Sequence, residues 1–364
     1  MTSSNERFLK IVQPGPMSLV QDRGRSGFQQ LGVSVSGAVD ADALDVGNRL
    51  VGNDLNAAAL EVMLGGLVVQ FTEPTMFTLT GSDTGATLDG VPVSTNVSYL
   101  AHADATLQMG IAQGGLRSYL SVGGGFELEQ VLDSRSTHSA SAIGGLEGRA
   151  LVEGNVLPIG IPNSEAQSGN LLESQITVAS STELNIRIVL GPQDNEFSTD
   201  GIETLLNSSY SVTDQSNRQG LRLDGPIVES LSGRYDIISD AVVNGSIQIP
   251  GDGKPIILLA DRQTTGGYAK IATVATVDLP KLGQATPGTT ISFEAISVEN
   301  AQALLAARHQ AILEAPLEKV VDPTTLKIDD VEVSVGVAEN GEAMLAELDG
   351  SIYPISVVEN IPAE

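Results

Sequence analysis

Short apolar runs closed by turn residues recur along this chain. Phe77-Thr78-Leu79-Thr80, Tyr119-Leu120-Ser121-Val122, Asn185 to Leu190 and Pro255 to Ala260 are each rich in apolar or β-branched side chains and bounded by Gly, Pro, Asp or Asn. The pattern predicts strands at the spacing of barrels and sandwiches. Asp89-Gly90 and Asn340-Gly341 predict tight hairpin turns.

Two segments carry helix signals instead. Asp40 to Val51 starts on an N-cap Asp, turns Leu44 and Leu50 inward and stops at Gly52-Asn53. Val298 to Leu313 is rich in Ala and Leu; Ser297 can cap it, with Asn300 where a capping box would place Glu. Neither lies between two parallel-strand signals, so a doubly wound nucleotide fold is not expected.

A polar, Ser-rich stretch from Asn163 to Ser181 separates two halves, and Glu314 to Asp322, flanked by Pro316 and Pro323, makes a second break. Beyond it, Leu326 to Val335, Ala343 to Leu348 and Ser351 to Val358 predict a small antiparallel meander. The expected architecture is all-β with a few helices. It comprises a β-barrel lobe over residues 1–185, a second over 186–315 and a C-terminal extension over 316–364, with no repeat of fixed period.

Composition narrows the chemistry. With 364 residues, 41% of them hydrophobic, the chain can build one large or two ordinary cores. No apolar leader opens it and no run is long enough to span a bilayer, so a soluble, cytoplasmic protein is expected. It contains no cysteine, which removes disulfides, thiolate catalysis and cysteine-held zinc. The net charge of −26 repels nucleic acid and anionic lipid. Against that charge, Arg23, Arg25, Arg117, Arg135, Arg218, Arg222 and Arg262 all fall in glycine-rich segments. Each guanidinium has two readings, a structural bridge to a carboxylate or a grip on an anionic ligand.

Four segments mix glycine with polar side chains. Gln21-Asp22-Arg23-Gly24-Arg25, with Ser36-Gly37-Ala38-Val39-Asp40, brings Arg pairs and carboxylates to flexible turns. Asn48 to Asn53 reads as a helix end, and Glu61 follows an apolar run where burial would demand a partner. Gly123-Gly124-Gly125 follows a strand and could offer backbone N–H groups to an anion, with Ser134, Arg135, Ser136 and Thr137 adding hydroxyls and a guanidinium. Arg262-Gln263-Thr264-Thr265-Gly266-Gly267-Tyr268, after Asp261, is delivered by a buried strand and is the least like a generic loop. The three histidines, His102, His138 and His309, lack metal-ligand spacing, and no Gly-x-Ser-x-Gly elbow is present.

Taken in order, these segments resemble the allophanate hydrolase subunit 2 or carboxyltransferase-domain family, which includes the C subunits of ATP-dependent 5-oxoprolinases. The resemblance runs from Pro14-Gly15-Pro16 through Ser36-Gly37-Ala38-Val39-Asp40, Thr80-Gly81-Ser82-Asp83 and Ser134-Arg135-Ser136-Thr137. It continues in Gly191-Pro192-Gln193, Asn217-Arg218-Gln219-Gly220-Leu221-Arg222 and Gln263-Thr264-Thr265-Gly266-Gly267-Tyr268. It covers roughly residues 8 to 300; Val39, Ser82 and Gln219 depart mildly from the family pattern, and Ala101 to Asp104 departs further.

The resemblance implies two cyclophilin-like barrel lobes and a part in opening 5-oxoproline to L-glutamate, with phosphorylation of the lactam oxygen making a poor electrophile reactive. It implies ATP and Mg2+, held mainly with a partner; a B subunit of allophanate hydrolase subunit 1 type; and an A subunit of LamB/YcsF type. On that reading Arg262, Gln263, Tyr268 and Asp22 are catalytic candidates. Arg25, Asp40, Arg117, Arg218, Thr264, Thr265, Gly266 and Gly267 would bind substrate. Gly123, Gly124, Gly125, Ser134, Ser136 and Thr137 would bind the nucleotide. Asp22, Asp40 or Asp261 could hold magnesium. The alternatives are a carboxyltransferase subunit of a biotin-dependent urea or amide carboxylase, with biotin on another chain because no Met-Lys-Met signal occurs here, and a regulatory binding module without turnover.

Overall fold

The first lobe is a pair of antiparallel sheets folded over one apolar core. One has six strands, in the order Val156–Ile159, Arg7–Pro14, Leu67–Phe71, Thr106–Gln108, Thr87–Leu88, Val91–Pro92. The other has five: Met17–Gln21, Ala59–Met63, Gln113–Val122, Thr75–Asp83, Ser98–Ala101. The computed structural model describes residues 7–164, 169–171, 181–319, 324–328, 331–337, 344–348 and 351–355. The expected strands at Phe77 and Tyr119 pair in register, Tyr119 opposite Thr80 and Leu120 opposite Leu79. Alternation sends Leu79 and Leu120 into the core with Leu60, Val62 and Val122. Phe71, Phe77 and Tyr99 fill its centre, with ring centroids 5.3 and 5.7 Å apart. Asp89 and Gly90 both take positive φ, 49° and 83°, and close the hairpin as a mirror-image turn.

The second lobe is a closed seven-stranded barrel. Its order is Glu183–Leu190, Lys270–Val274, Ser246–Gln248, Ile256–Leu258, Gly220–Asp224, Tyr210–Val212, Thr290–Ala295. The ring closes by a parallel pairing of Thr290–Ala295 with Glu183–Leu190, so this lobe begins before residue 186. Its core holds Ile186, Ile188, Leu221, Ile247, Ile257 and Ile271, and one residue from the other lobe, Val39. A two-stranded ribbon, Asp236–Ala241 with Thr265–Tyr268, stands outside the ring. Buried Lys270 anchors it, donating to Asp240 at 2.7 Å and to the Ala241 carbonyl at 2.8 Å.

Both expected helices form. Ala41–Leu50 is capped by Asp40, whose carboxylate accepts from the Ala43 N–H at 2.9 Å. Val298–Glu314 is capped by Ser297, accepting from Asn300 at 3.2 Å. The two helices meet through Val46, Leu50 and Ile312, and Arg308 pairs with Asp42 at 2.7 Å. Two shorter helices carry weak sequence signals because each contains glycine: Thr199–Asn207, capped by Ser198, and Leu279–Gln284, with Pro280 in its first turn. None of the helices among the described residues is long and apolar enough to cross a membrane.

At the C-terminal end, Thr324–Ile328, Val331–Val337, Met344–Leu348 and Ser351–Ile355 form an antiparallel sheet in sequential order. The segment predicted as one strand from Leu326 is therefore a hairpin of two. Asn340-Gly341 and most of Asn163 to Ser181 lie outside the described residues.

Candidate functional site

Where the lobes meet, four charged side chains lie buried together. Glu61, on Ala59–Met63, is 3% exposed and accepts from the Val39 N–H at 3.0 Å, from the Tyr119 hydroxyl at 2.7 Å and from Arg218 of the opposite lobe. Arg218 also donates to both oxygens of Asp261, at 2.7 and 3.0 Å, and to the Gly37 carbonyl at 2.7 Å. Arg117 donates to the Gly283 carbonyl, and its Nε lies 3.4 Å from Glu61. That separation allows charge attraction, but the N–H is not aligned for a hydrogen bond. Burial alone would push the Glu61 carboxyl up; the neighbouring Arg218 and Arg117 outweigh it and hold it below its ordinary range.

A second set of bonds closes the seam. Ser36, at φ 58°, donates to Asp261 at 2.7 Å, and its N–H reaches the Ala260 carbonyl at 3.1 Å. Gln284 donates to Asp40 at 2.6 Å and to the Arg117 carbonyl at 3.0 Å, while its oxygen accepts from Ser82 and from the N–H groups of Leu116 and Arg117. Gly283 packs closely here, where a Cβ would come within 3.1 Å of the Val39 and Asp40 backbone. Burial raises the Asp40 carboxyl to about 7.

These bonds engage several of the residues expected to form the site. Arg117 and Arg218, expected to bind substrate, are matched by Glu61 and Asp261 within the seam. Asp40 is a helix cap at 1% exposure. Asp22 clamps a loop: its carboxylate accepts from Gly24 N–H at 2.7 Å, Ser134 hydroxyl at 2.7 Å, Arg135 N–H at 2.6 Å and the Ser136 hydroxyl. Asp22, Asp40 and Asp261, the carboxylates expected to do catalytic work or to hold magnesium, all accept internal hydrogen bonds. Among the described residues no cluster of three His, Asp or Glu side chains is placed to hold a metal ion.

The residues expected to cradle the nucleotide likewise make internal hydrogen bonds. Ser134, Ser136 and Thr137 are fully buried, Thr137 donating to the Val20 carbonyl at 3.1 Å. The N–H groups of Gly123, Gly124 and Gly125 go to Met76 O, Asn53 Oδ1 and Val122 O. The glycines answer a steric demand, since a Cβ on Gly124 would meet the Gly160 carbonyl at 2.2 Å. Gly124 and Gly125 line a polar cleft of about 480 Å3 together with Asn53, Asp54, Gln130 and Arg135. Its charged rim mixes Asp54 and Glu127 with Arg135, a poor match for triphosphate.

Arg25 and Arg262 are different again. They are 1% and 4% exposed and donate to backbone carbonyls, with Arg25 Nη1 and Arg262 Nε left without a hydrogen-bond partner. Burial lowers the pKa of both. Arg262, expected to be catalytic, and Arg25, expected to bind substrate, are thus both buried in this structure.

The open face lies one residue away. Backbone bonds run from the Asp261 N–H to the Arg218 carbonyl and from Leu259 to Gln219. Both segments run through turns and bends that divide buried from exposed side chains. Arg218, Asp261 and Arg262 are buried, whereas Asn217, Gln219 and Gln263 line a groove of about 170 Å3 with Gln215, Arg222 and Gln248. Ile256 and Leu258 give it apolar surface, and Tyr268, 40% exposed, reaches it from the ribbon. Gly266 lets the ribbon descend, because a Cβ there would stand 2.4 Å from Gln248 Nε2. Thr264, Thr265 and Gly267 belong to the same ribbon approach but not to the groove lining. Of the expected catalytic residues the structure thus brings Gln263 and Tyr268 together. The motif containing Asn217, Gln219 and Arg222 marked that wall; Gln215 and Gln284 carried no signal.

The family model described as carboxyltransferase domain, subdomain A and B, matches residues 31–295. The chain belongs to this family. Carboxyltransferase-domain relatives include the C subunit of 5-oxoprolinase from Escherichia coli K12, 40% identical over 293 residues, which cover 80% of this chain and 93% of that protein. The corresponding 5-oxoprolinase C subunit from Haemophilus influenzae is 38% identical over 86% of this chain and 99% of its own length. Among solved carboxyltransferase-domain structures, the K. lactis urea amidolyase superposes with a TM-score of 0.81 at 28% identity. The match covers 95% of this chain but spans only 23% of the amidolyase.

Proposed function

We propose that this chain is the C subunit of an ATP-dependent 5-oxoprolinase, acting with a B subunit of allophanate hydrolase subunit 1 type and an A subunit of LamB/YcsF type. The observation that carries this reading is the match across nearly the whole length of two proteins of that name. The groove supports it, since carboxamides and an arginine on an apolar floor suit a small polar amide. ATP activates the lactam oxygen in such a reaction. The residues expected to cradle phosphate and magnesium here are internally bonded, so nucleotide and Mg2+ are assigned to the partner subunit and this chain to binding and orienting the lactam. The complex is placed in the cytoplasm, in keeping with a strongly acidic, cysteine-free chain.

Reconstitution tests the proposal. The three subunits together should hydrolyse ATP and release glutamate only when 5-oxoproline is present, and omitting this chain should abolish both. Unchanged turnover without it refutes the reading. The likeness to urea amidolyase favours one alternative, carboxyl transfer from biotin on another chain to an amide nitrogen. That alternative requires a biotinylated partner and bicarbonate-dependent ADP release.

A further inference from the structure

We propose that the groove beneath the Asp236–Ala241/Thr265–Tyr268 ribbon is the recognition site for a cyclic amide bearing a carboxylate, with Arg222 taking the carboxylate and Gln263 reading the lactam. The proposal rests on the 5-oxoprolinase reading and assigns its substrate a place on this chain.

Arg222 is the groove's only charged lining residue. It lies on Gly220–Asp224 with its side chain exposed, and among the described residues it makes no ion pair. Acidic residues outnumber basic ones 45 to 19 along the chain, and Asp224 and Asp252 line the depression next to Arg222. Arg187, Arg218 and Lys270 each take an internal carboxylate; Arg222 leaves its planar fork open to one supplied from outside. The guanidinium also borders a second depression of about 230 Å3, but Lys254 there is already paired with Asp224 at 2.5 Å.

The rest of the lining selects for an amide. A lactam offers one N–H donor and one carbonyl acceptor side by side; a primary carboxamide offers the reverse pair in one plane and keeps it at every working pH. Gln263 is an exposed carboxamide of the lining, and buried Gln248 supports the ribbon beside it through a 3.3 Å bond from its Nε2 to the Tyr268 carbonyl. Ile256 and Leu258 supply an apolar floor for ring methylenes. Behind the wall, the Arg218–Asp261 pair fixes the two segments that carry Gln219 and Gln263, so the donors are in place before the ligand arrives.

The test uses the assembled complex with Arg222→Ala, Arg222→Lys and Gln263→Leu, each checked for assembly by gel filtration. Losing one charge-assisted fork should raise KM for 5-oxoproline roughly ten- to a hundredfold. KM for ATP should stay unchanged. Arg222→Lys should restore part of the loss, and 2-pyrrolidinone, which lacks the carboxylate, should inhibit native and Arg222→Ala complexes equally. Gln263→Leu should weaken both ligands. An active native complex whose KM for 5-oxoproline is unmoved by Arg222→Ala overturns this site and leaves the 5-oxoprolinase reading standing. A native complex with no 5-oxoproline-dependent turnover overturns the reading, and the site falls with it.

Discussion

Replacing Arg218 by Met removes the cation that joins the lobes while keeping most of its aliphatic bulk. Arg218 donates to Glu61, to both oxygens of Asp261 and to the Gly37 carbonyl, and all of these lie in the seam. At 2.7 Å the attraction to Asp261 alone is about 6 kcal/mol for an effective dielectric of about 20, against which stands the desolvation of each charge. The substitution leaves two carboxylates buried, and removing one partner of a buried pair costs about 3–5 kcal/mol. In a thermal scan this is a fall in midpoint of roughly 6–20 °C. Glu61→Gln should cost less, about 1–3 kcal/mol, because Arg218 keeps Asp261. The double variant should fall short of the sum by about 1–3 kcal/mol, since the second change removes a group that the first left bare. Urea unfolding of the four proteins measures the cycle. A cost below about 1 kcal/mol for Arg218→Met, or strict additivity, would refute the seam as a coupled charge network.

Asp40 gives a pH signature. Its folded carboxyl titrates near 7 against an ordinary value of 3.8, so the native state holds the proton more tightly than the unfolded chain. Its contribution is fully present at low pH and is lost as pH rises toward 7, by at most about 4 kcal/mol. Urea midpoints from pH 4 to 8 should therefore decline more steeply in the native protein than in Asp40→Asn; parallel curves would exclude this origin. Ser134→Ala and Ser136→Ala remove donors to Asp22 and should each lower stability by about 1–3 kcal/mol while leaving KM for ATP in the complex unchanged. A raised KM for ATP would return the nucleotide to this loop. Gly266→Val should press the ribbon against Gln248 and raise KM for 5-oxoproline, and an unaltered KM would show that the groove is not used.

Much of the local structure was legible in the order of residues. Caps at Asp40 and Ser297, the Asp89-Gly90 turn and the apolar alternation around Leu79 and Leu120 are set by interactions a few residues long, and they form as the pattern predicts. The ordered motif set also placed the chain in its family. The helix Leu279–Gln284 escaped notice because Pro280 and Gly283 argue against a helix, and only packing against Asp40 and Val39 makes them useful.

What the arginines do was not legible. Arg117, Arg218 and Arg222 share one side-chain chemistry and similar glycine-rich settings, so nothing within the sequence separates a bridge from a grip. The separation follows from tertiary contact: the docking of the two lobes brings Glu61 to Arg218, and the pairing of Gly220–Asp224 with Ile256–Leu258 turns Arg222 outward. Sequence specifies the charges; whether a charge meets a buried carboxylate or the solvent is decided by which side of a wall the fold places it on, and that depends on register between distant segments.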